Sequence, residues 1–283
     1  MNYKEVIDYL IKNQSLFLSV LDKFEGNYQR KPDCLDFKIF YQNDKIDSLI
    51  AYTDYGAFYL DIKTKYIFDA IDFIENFNLF IFSIYGEDHI LKKISDNISL
   101  RERNFIEYYM MEISKEDFEE LESESDDILC RKCSPADFNI LKKLQYLYHK
   151  EEVYSDETSY PYDAEMEAFK NLLKKRLNYA LFNDKKQPVS KVNVNGESPD
   201  LFQIGGMFTL KEERKKGYAK ICLNALLKDG FYNFNKKGII LFVRKNNIPA
   251  IQTYKKIGFK IIKETSILRL AHKRKMSIEN KSY

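Results

Sequence analysis

The stretch from Leu201 to Phe259 constrains the fold of this chain more than any other part of the sequence. It opens with a run of β-type residues, Leu201 to Thr209, and continues through a short charged connection to Gly217. After Gly217, apolar residues recur at three- and four-residue steps, which is typical of an amphipathic helix. The sequence therefore predicts a strand whose exit loop leads directly to the N-terminus of a helix.

The residues around Gly217 suit the binding of a phosphate group. The first amides of a helix have no intrahelical partner and carry a partial positive charge, so they attract anions. Gly217 and Ala219 leave the backbone open to a diphosphate, and Lys215 and Lys216 add formal charge at the same place. The alternative is an ordinary helix start in which a glycine stands next to lysines.

A second pattern follows this helix. Residues 238–243 form an unbroken apolar run, which predicts a strand buried on both faces. Pro249 then fits the first turn of a further helix, and Tyr254 lies four residues after Ala250, on the same helix face. Gly258 is placed to end this helix, and the next strand is expected to follow it.

Two motifs in these segments resemble those of the GNAT N-acetyltransferase superfamily, and the resemblance covers about residues 128 to 270. The pyrophosphate-loop pattern Arg/Gln-x-x-Gly-x-Gly/Ala is matched by Arg214, Gly217 and Ala219. The later pattern Asn-x-x-Ala-x-x-x-Tyr…Gly-Phe is matched by Asn247, Ala250, Tyr254, Gly258 and Phe259. The resemblance implies that acetyl-CoA is the co-substrate and that a primary amine attacks its thioester directly.

The resemblance also implies a role for each matching residue. The strand before the loop is expected to splay from its neighbour and to pair its backbone with the cofactor at Met207, Phe208 and Thr209. The pyrophosphate is expected at Lys215, Lys216, Gly217, Tyr218, Ala219 and Lys220. Asn247 matches a position near the cofactor arm, and Tyr254 matches the general acid. A tyrosine with the usual pKa of about 10 keeps its proton at neutral pH, although an ordinary core aromatic is the alternative.

A base is also needed, because an alkylamine with a pKa of about 10.4 is protonated at neutral pH. The resemblance implies that the loop between the first two helices of this region borders the acceptor. Its titratable residues include His149, Glu151, Glu152, Asp156 and Glu157. A carboxylate there would attract a cation and accept its proton. Glu152 is the predicted base, and a solvated acidic loop is the alternative.

The N-terminal half has the same order of predicted elements: a helix from residue 3 to about 25, three strands, a helix, a strand at 79–84, a helix and a strand. Its segment 61–65 corresponds to the phosphate loop but has no glycine. We therefore predict an α+β (mixed α/β) fold of tandem GNAT-like domains, each a mostly antiparallel twisted sheet flanked by helices. The predicted parts are a degenerate N-terminal domain (1–114), an acidic linker (115–127) expected to be a short helix, a catalytic domain (128–270) and a basic tail (271–283).

Charge and composition exclude several partners. The 283 residues include 45 basic and 43 acidic ones, a balance that provides no electrostatic field for nucleic acid. No run approaches about 20 apolar residues, and the start has no signal-peptide core, so we expect a cytoplasmic protein without a membrane partner. Cys130 and Cys133 have the spacing of half a zinc site, but no second pair completes it, and no metal is expected.

The sequence leaves the acceptor open. A small-molecule amine and a peptide amine fit the motifs equally well, and a homo-oligomer is also left open. The alternatives to an acetyltransferase are a non-catalytic acyl-CoA-binding or regulatory module and an enzyme that transfers another acyl group.

Overall fold

The computed structural model describes residues 3–77, 81–100, 102–120, 129–154 and 160–270. The chain divides into two compact units. The N-terminal unit comprises Met1–Leu10, Asn27–Tyr108 and Lys263–Tyr283, and the C-terminal unit comprises Ile11–Gly26 and Tyr109–Ile262. Within the described residues, no helix is long and apolar enough to cross a membrane.

The order of elements is repeated along the chain. The first half contains α1 (Tyr3–Lys12), α2 (Gln14–Leu21), β1 (Leu35–Gln42), β2 (Lys45–Thr53), β3 (Ala57–Asp61), α3 (Ile67–Glu75), β4 (Ser83–Glu87), α4 (Asp88–Asn97) and β5 (Glu102–Ser114). The second half contains β6 (Leu129–Lys132), α5 (Phe138–Tyr148), α6 (Tyr162–Lys175), β7 (Asn178–Phe182), β8 (Pro188–Glu197), β9 (Leu201–Thr209), α7 (Tyr218–Lys228), β10 (Gly238–Arg244), α8 (Ile248–Ile257) and β11 (Lys260–Leu270). Apart from β6, both halves run through two helices, three strands, a helix, a strand, a helix and a strand, which confirms the predicted duplication and mixed α/β class.

The sheet of the N-terminal unit has the strand order β1-β2-β3-β4-β11. The pairs β1–β2, β2–β3 and β4–β11 are antiparallel, and β3–β4 is parallel. The apolar faces of α3 and α4 pack on this sheet: Ile71, Ile74 and Leu91 belong to one buried cluster with Phe58 and Leu268. The last described strand of the chain therefore completes the N-terminal unit.

The sheet of the C-terminal unit has the order β5-β10-β9-β8-β7-β6. The strands from β6 to β9 pair antiparallel in succession, whereas β9 and β10 are parallel. Successive residues of β7 point to opposite faces. Leu181 packs with α7 residues such as Leu223, while Ala180 packs with Leu141 of α5 and Phe169 of α6. Helices thus cover both faces of this sheet.

Two predicted boundaries differ from the structure. The helix predicted from residue 3 to about 25 is broken between α1 and α2, because Val6 and Leu10 are buried in the N-terminal unit while Leu18 packs against Leu201 and Ile240. The strand predicted from residue 79 to 84 begins at Ser83, where its pairing with β3 starts; residues 78–80 lie outside the described chain.

The predicted domains follow chain order, whereas the compact units exchange segments. Residues 11–26 and 109–114 lie in the C-terminal unit, and residues 263–270 lie in the N-terminal unit. In the predicted helical linker, residues 115–117 form a bend and a turn and residues 118–120 have no regular structure, because Phe118 is buried and Asp117 pairs with Lys260 at 2.7 Å. The rest of the linker, from 121 to 127, and the predicted basic tail, 271–283, lie outside the described residues.

Truncation of Leu268 tests whether β11 stabilises the N-terminal unit. Leu268 is fully buried opposite Ile84, so Leu268→Ala is expected to lower the free energy of unfolding by about 2–5 kcal/mol in denaturant titrations. Ile261→Ala is the matched control: its side chain lies on the same strand but is exposed, and its substitution is expected to cost less than about 1 kcal/mol. Equal losses for both variants would contradict the packing described above.

Candidate active site

Strands β9 and β10 separate part-way along their length. They pair in parallel through four residue pairs, from Leu201 with Gly238 to Ile204 with Leu241. Beyond this point β9 continues to Thr209 and β10 to Arg244 without further pairing between them. On its other side β9 remains paired with β8 as far as Thr209. Residues 205–209 therefore have one backbone edge that β10 does not cover, and this edge includes the predicted cofactor-binding residues Met207, Phe208 and Thr209.

A β-bulge lies at the point where the strands separate. The register between β8 and β9 shifts next to Lys191 and Asn193, and Gly206 adopts a left-handed φ of +59°. A Cβ atom on Gly206 would lie 2.0 Å from Asn193 Oδ1, and one on Gly205 would lie 2.1 Å from the side-chain nitrogen of Asn195. A side chain at either position would displace an asparagine side chain, and the left-handed φ of Gly206 also favours glycine there. The bulge re-aims the backbone of β9 at the start of its free edge.

The start of α7 is open to solvent. Gly217 is its N-cap, with a left-handed φ of +80°, and a Cβ atom there would meet nothing within 4 Å. The amides of Gly217, Tyr218 and Ala219 have no hydrogen-bond acceptor within the described part of the chain. Exposed amides at a helix N-terminus, reached by a backbone without bulky side chains, fit a diphosphate.

The basic side chains of the loop between β9 and α7 differ in whether they form ion pairs. Arg214 donates to Glu151 Oε1 at 2.5 Å and to the carbonyl of Thr209 at 3.0 Å, so it ties the loop to the end of β9. Lys216 pairs with Glu213 at 2.7 Å. Lys215 is exposed and makes no ion pair with any residue that the structure describes. The Lys215 ammonium is therefore the cation of this loop that is free to meet an anion.

The predicted base and the predicted cofactor-arm residue lie in contact. Glu152 belongs to a π-helical turn, His149–Val153, that extends α5. Asn247 caps α8 by accepting from the Ala250 amide at 3.2 Å, and its Nδ2 faces Glu152 Oε2 at 3.5 Å. Burial and the neighbouring charge of Glu151 raise the pKa of Glu152 above its ordinary value, although two arginines and Asn247 oppose the shift. A carboxyl group with a raised pKa is a better proton acceptor.

Tyr254 lies beside this carboxyl group. Its side chain is buried on α8, and its ring packs against Phe259 with centroids 5.7 Å apart. Its hydroxyl makes no hydrogen bond to any described residue. Burial, followed by the charges of Tyr148 and Glu152, raises the pKa of Tyr254 above the ordinary value of 10.0. The phenol therefore keeps its proton at neutral pH and has a free O–H to donate.

The splayed strands, the open helix start and the buried tyrosine agree with the comparison with known families. The sequence model of the acetyltransferase (GNAT) family matches residues 141–259. These residues form a GNAT domain. The match contains Gly217, Asn247 and Tyr254, the residues on which the resemblance was based.

Solved structures extend the likeness to the whole chain. A Drosophila protein aligns with a TM-score of 0.61 at 11% identity over 95% of this chain and 88% of its own. A tandem GNAT protein from the clavulanic acid biosynthesis pathway aligns with a TM-score of 0.55 at 9% identity over 96% and 97%. A GNAT-family acetyltransferase from Colwellia psychrerythraea aligns with a TM-score of 0.53 at 13% identity over 94% and 97%. At these identities the likeness shows the fold, and it supports the prediction of tandem GNAT-like domains. No curated protein matches the chain significantly.

Sequence reasoning missed one residue of the GNAT domain, Lys191. Its side chain is buried in β8, and its Nζ donates to the carbonyl of Gly206 at 2.8 Å and to Asn193 Oδ1 at 3.3 Å. The ammonium also faces the rings of Tyr148 at 5.1 Å and Phe169 at 5.6 Å. Burial lowers the pKa of Lys191 to about 7. In the sequence, the signal was a lysine within residues 189–194, and the structure shows that this segment of β8 is fully buried.

The other titratable residues of the acceptor loop that the structure describes are already engaged. His149 is buried, with Nδ1 2.9 Å from the Tyr160 hydroxyl and Nε2 2.7 Å from the Gln145 amide. Burial lowers the pKa of His149. Glu151 pairs with Arg214, and the candidates Asp156 and Glu157 lie outside the described residues. Among the loop carboxylates that the structure describes, Glu152 is the one whose charge contributes to the raised pKa of Tyr254.

The cysteines do not assemble a metal site. Cys130 and Cys222 bring their sulfur atoms to 3.9 Å, and all four cysteines are free thiols. Within the described residues, no group of three or more histidine, cysteine, aspartate or glutamate side chains could hold a metal ion.

Replacement of Lys191 by methionine tests its buried state. A base whose pKa is lowered on folding binds fewer protons in the folded chain, so the free energy of unfolding rises with pH between about 7 and the ordinary lysine pKa of 10.5. One proton corresponds to a slope of ~1.4 kcal/mol per pH unit, which Lys191→Met should remove relative to wild type. The Cys133 and Cys222 thiols and His149 face Lys191 in both proteins, so their titration largely cancels in the difference.

The measurement is denaturant unfolding from pH 7.5 to 10. Lys185→Met, in the hairpin turn between β7 and β8, removes an exposed ammonium and is expected to leave the slope of the wild type unchanged. Parallel stability curves for wild type and Lys191→Met would show that Lys191 keeps an ordinary pKa in the folded chain.

Proposed function

We propose that this protein is an acetyl-CoA-dependent N-acetyltransferase that moves an acetyl group to a primary amine. One observation carries the proposal: in the GNAT domain the free edge of β9, residues 205–209, leads into the open helix start at Gly217. A nucleotide thioester such as acetyl-CoA has a part that fits each of these two features. Its amide-containing arm can pair with a strand edge, and its diphosphate suits the amides at a helix start.

The chain's own residues divide the binding between them. The amides of Gly217, Tyr218 and Ala219 would hold the diphosphate, and Lys215 would neutralise it, with Lys216 and Lys220 adding positive charge nearby. The backbone of Met207, Phe208 and Thr209 would pair with the arm, and Asn247 would stand at its inner end. When bound, acetyl-CoA supplies an electrophilic thioester carbonyl and a thiolate leaving group.

Two side chains would handle the protons. Glu152 would take the proton of the incoming ammonium, directly or through water, because its pKa is raised by burial and Asn247 orients its carboxyl group. Tyr254 would protonate the departing sulfur, since its O–H is free and its pKa is raised. The acceptor is thus a small-molecule or peptide amine that reaches Glu152 as a cation.

The N-terminal unit supports assigning the reaction to the GNAT domain alone. In its corresponding loop, Lys63 and Lys65 both pair with Asp47, the second at 2.7 Å. No glycine opens the backbone there. The positive charges of this loop are neutralised within the unit, so it has little to offer a diphosphate.

A panel of amines tests the function. The protein is incubated with acetyl-CoA and polyamines, aminoglycosides, amino acids or peptides, and the release of free thiol is recorded. We expect release with at least one amine class, and Tyr254→Phe should lower kcat about 10²- to 10⁴-fold with little change in acetyl-CoA affinity. Binding of acetyl-CoA without release from any amine would favour the acyl-CoA-binding module, and faster release from a longer acyl-CoA would favour another acyl group.

Gly217→Glu tests the diphosphate site without any acceptor. The new carboxylate would face the phosphates, and its Cβ would be strained at a φ of +80°, so the affinity for acetyl-CoA measured by calorimetry should fall at least about 100-fold. Gly217→Asn is the matched control, because asparagine tolerates this conformation and adds no charge. Unchanged binding by Gly217→Glu would move the phosphate site elsewhere.

Glu152→Gln tests the base through the pH dependence of kcat/KM on an identified amine. In the wild type kcat/KM should rise with pH as Glu152 loses its proton, with an apparent pKa above 4.5, and the glutamine variant should lack this limb. Glu151→Gln removes a charge that raises the Glu152 pKa, so it should keep the limb and shift it to lower pH. A wild-type limb that persists in Glu152→Gln would assign the base to another group.

A further inference from the structure

The peptide between Gly206 and Met207 is held from one side. Its carbonyl oxygen accepts from Lys191 Nζ at 2.8 Å, at the bulge where Gly206 has its positive φ. In a trans peptide the C=O and N–H groups point in opposite directions. With the carbonyl held towards Lys191, the N–H of Met207 is turned away from it.

The surroundings of Lys191 keep its amine in this place. The rings of Tyr148 and Phe169 face it at 5.1 and 5.6 Å, and Asn193 Oδ1 accepts a second hydrogen bond at 3.3 Å. No described carboxylate pairs with Lys191, so the backbone carbonyl is its nearest strong acceptor. Burial of an ammonium without an ionic partner costs free energy, which an apolar side chain at this position would avoid.

The direction of the bound arm follows from the order of the chain. The diphosphate end lies at Gly217, which follows Thr209 through the loop, so an arm that runs back along the free edge passes Thr209 first and Met207 last. Met207 is therefore the residue of the free edge nearest the acyl end. Its N–H is the backbone donor that the carbonyl oxygen of an acyl group would meet there.

We propose that Lys191 is a positioning residue, which holds the Gly206–Met207 peptide so that the Met207 N–H faces the carbonyl oxygen of the acyl group. The inference rests on the proposed function. During attack by the amine, negative charge develops on that oxygen, and a donor fixed in advance stabilises it. Loss of one such donor lowers kcat about 10²- to 10³-fold in enzymes of acyl transfer, so a similar fall is expected when Lys191 is removed.

Selective isotope labelling can observe this one peptide. Gly206-Met207 is the single Gly–Met pair in the sequence, so protein labelled with [1-¹³C]glycine and [¹⁵N]methionine gives one correlated amide signal. Coenzyme A and acetyl-CoA are titrated separately, because only acetyl-CoA has the acyl carbonyl. In the wild type we expect the Met207 amide proton to shift further with acetyl-CoA than with coenzyme A.

Lys191→Met should lose this acyl-dependent difference and still bind coenzyme A with the affinity of the wild type, because the diphosphate site is unchanged. Once an amine substrate is identified, the kcat of Lys191→Met should be about 100-fold below that of the wild type, while its KM for acetyl-CoA stays within about twofold. Lys185→Met, an exposed lysine, is expected to behave as the wild type. If Lys191→Met does not fold, Lys191→Leu, which also lacks a donor, takes its place with the same expected results.

Each of the other outcomes contradicts the inference and identifies which of its assumptions is wrong. If neither ligand binds the wild type, the proposed function fails first and this inference with it. If both ligands bind the wild type but shift Met207 equally, its N–H does not meet the acyl group. If the acyl-dependent shift persists in Lys191→Met, Lys191 has a purely structural role, because loss of packing alone would lower stability and leave that shift in place.

Discussion

The separation of β9 from β10 is the constraint on which the rest of the GNAT domain depends. Parallel strands normally satisfy each other's backbone groups, and a strand edge left uncovered must find other partners or face solvent. Here the pairing ends after Ile204, a bulge with two glycines follows, and β8 alone continues to pair with β9. The remaining edge is at once a gap in the sheet and a place where an extended ligand can bind.

Burial has the same effect on three titratable side chains around this gap. It raises the pKa of Glu152 and Tyr254 and lowers the pKa of Lys191, so it shifts all three towards their uncharged forms. Groups that are close to neutral can exchange protons with less reorganisation than strongly solvated ions. A nearby arginine, Arg244, opposes the shift of Glu152, and the carboxyl group therefore remains able to ionise.

The two halves of the chain have kept one topology and different surfaces. In the N-terminal unit the loop lysines are paired with Asp47, whereas in the GNAT domain Lys215 forms no ion pair with any described residue and lies beside exposed helix amides. The final strands are exchanged: β11 ends the second half of the chain but pairs with β4 of the N-terminal unit, and β5 ends the first half but lies beside β10 in the sheet of the C-terminal unit. One unit thus has an exposed helix start after its third strand, and in the other the lysines of the corresponding loop are paired with a carboxylate.

Local sequence determined the elements and the motifs. Strand β9 has the bounds that its run of β-type residues predicts, the helix α7 starts at Gly217, and Pro249 lies in the first turn of α8, as their motifs predict. These features depend on backbone conformation and periodicity, which a few neighbouring residues decide. The duplication could be read from the order of elements for the same reason.

Only the tertiary structure decided which distant residues meet. The contact of Asn247 with Glu152, the ion pair of Arg214 with Glu151 and the hydrogen bond of Lys191 to Gly206 join residues from separate elements. The break between α1 and α2 likewise depends on two different packing surfaces. Sequence periodicity shows that a side chain is buried, but not against what, and the pKa of a buried group depends on those neighbours.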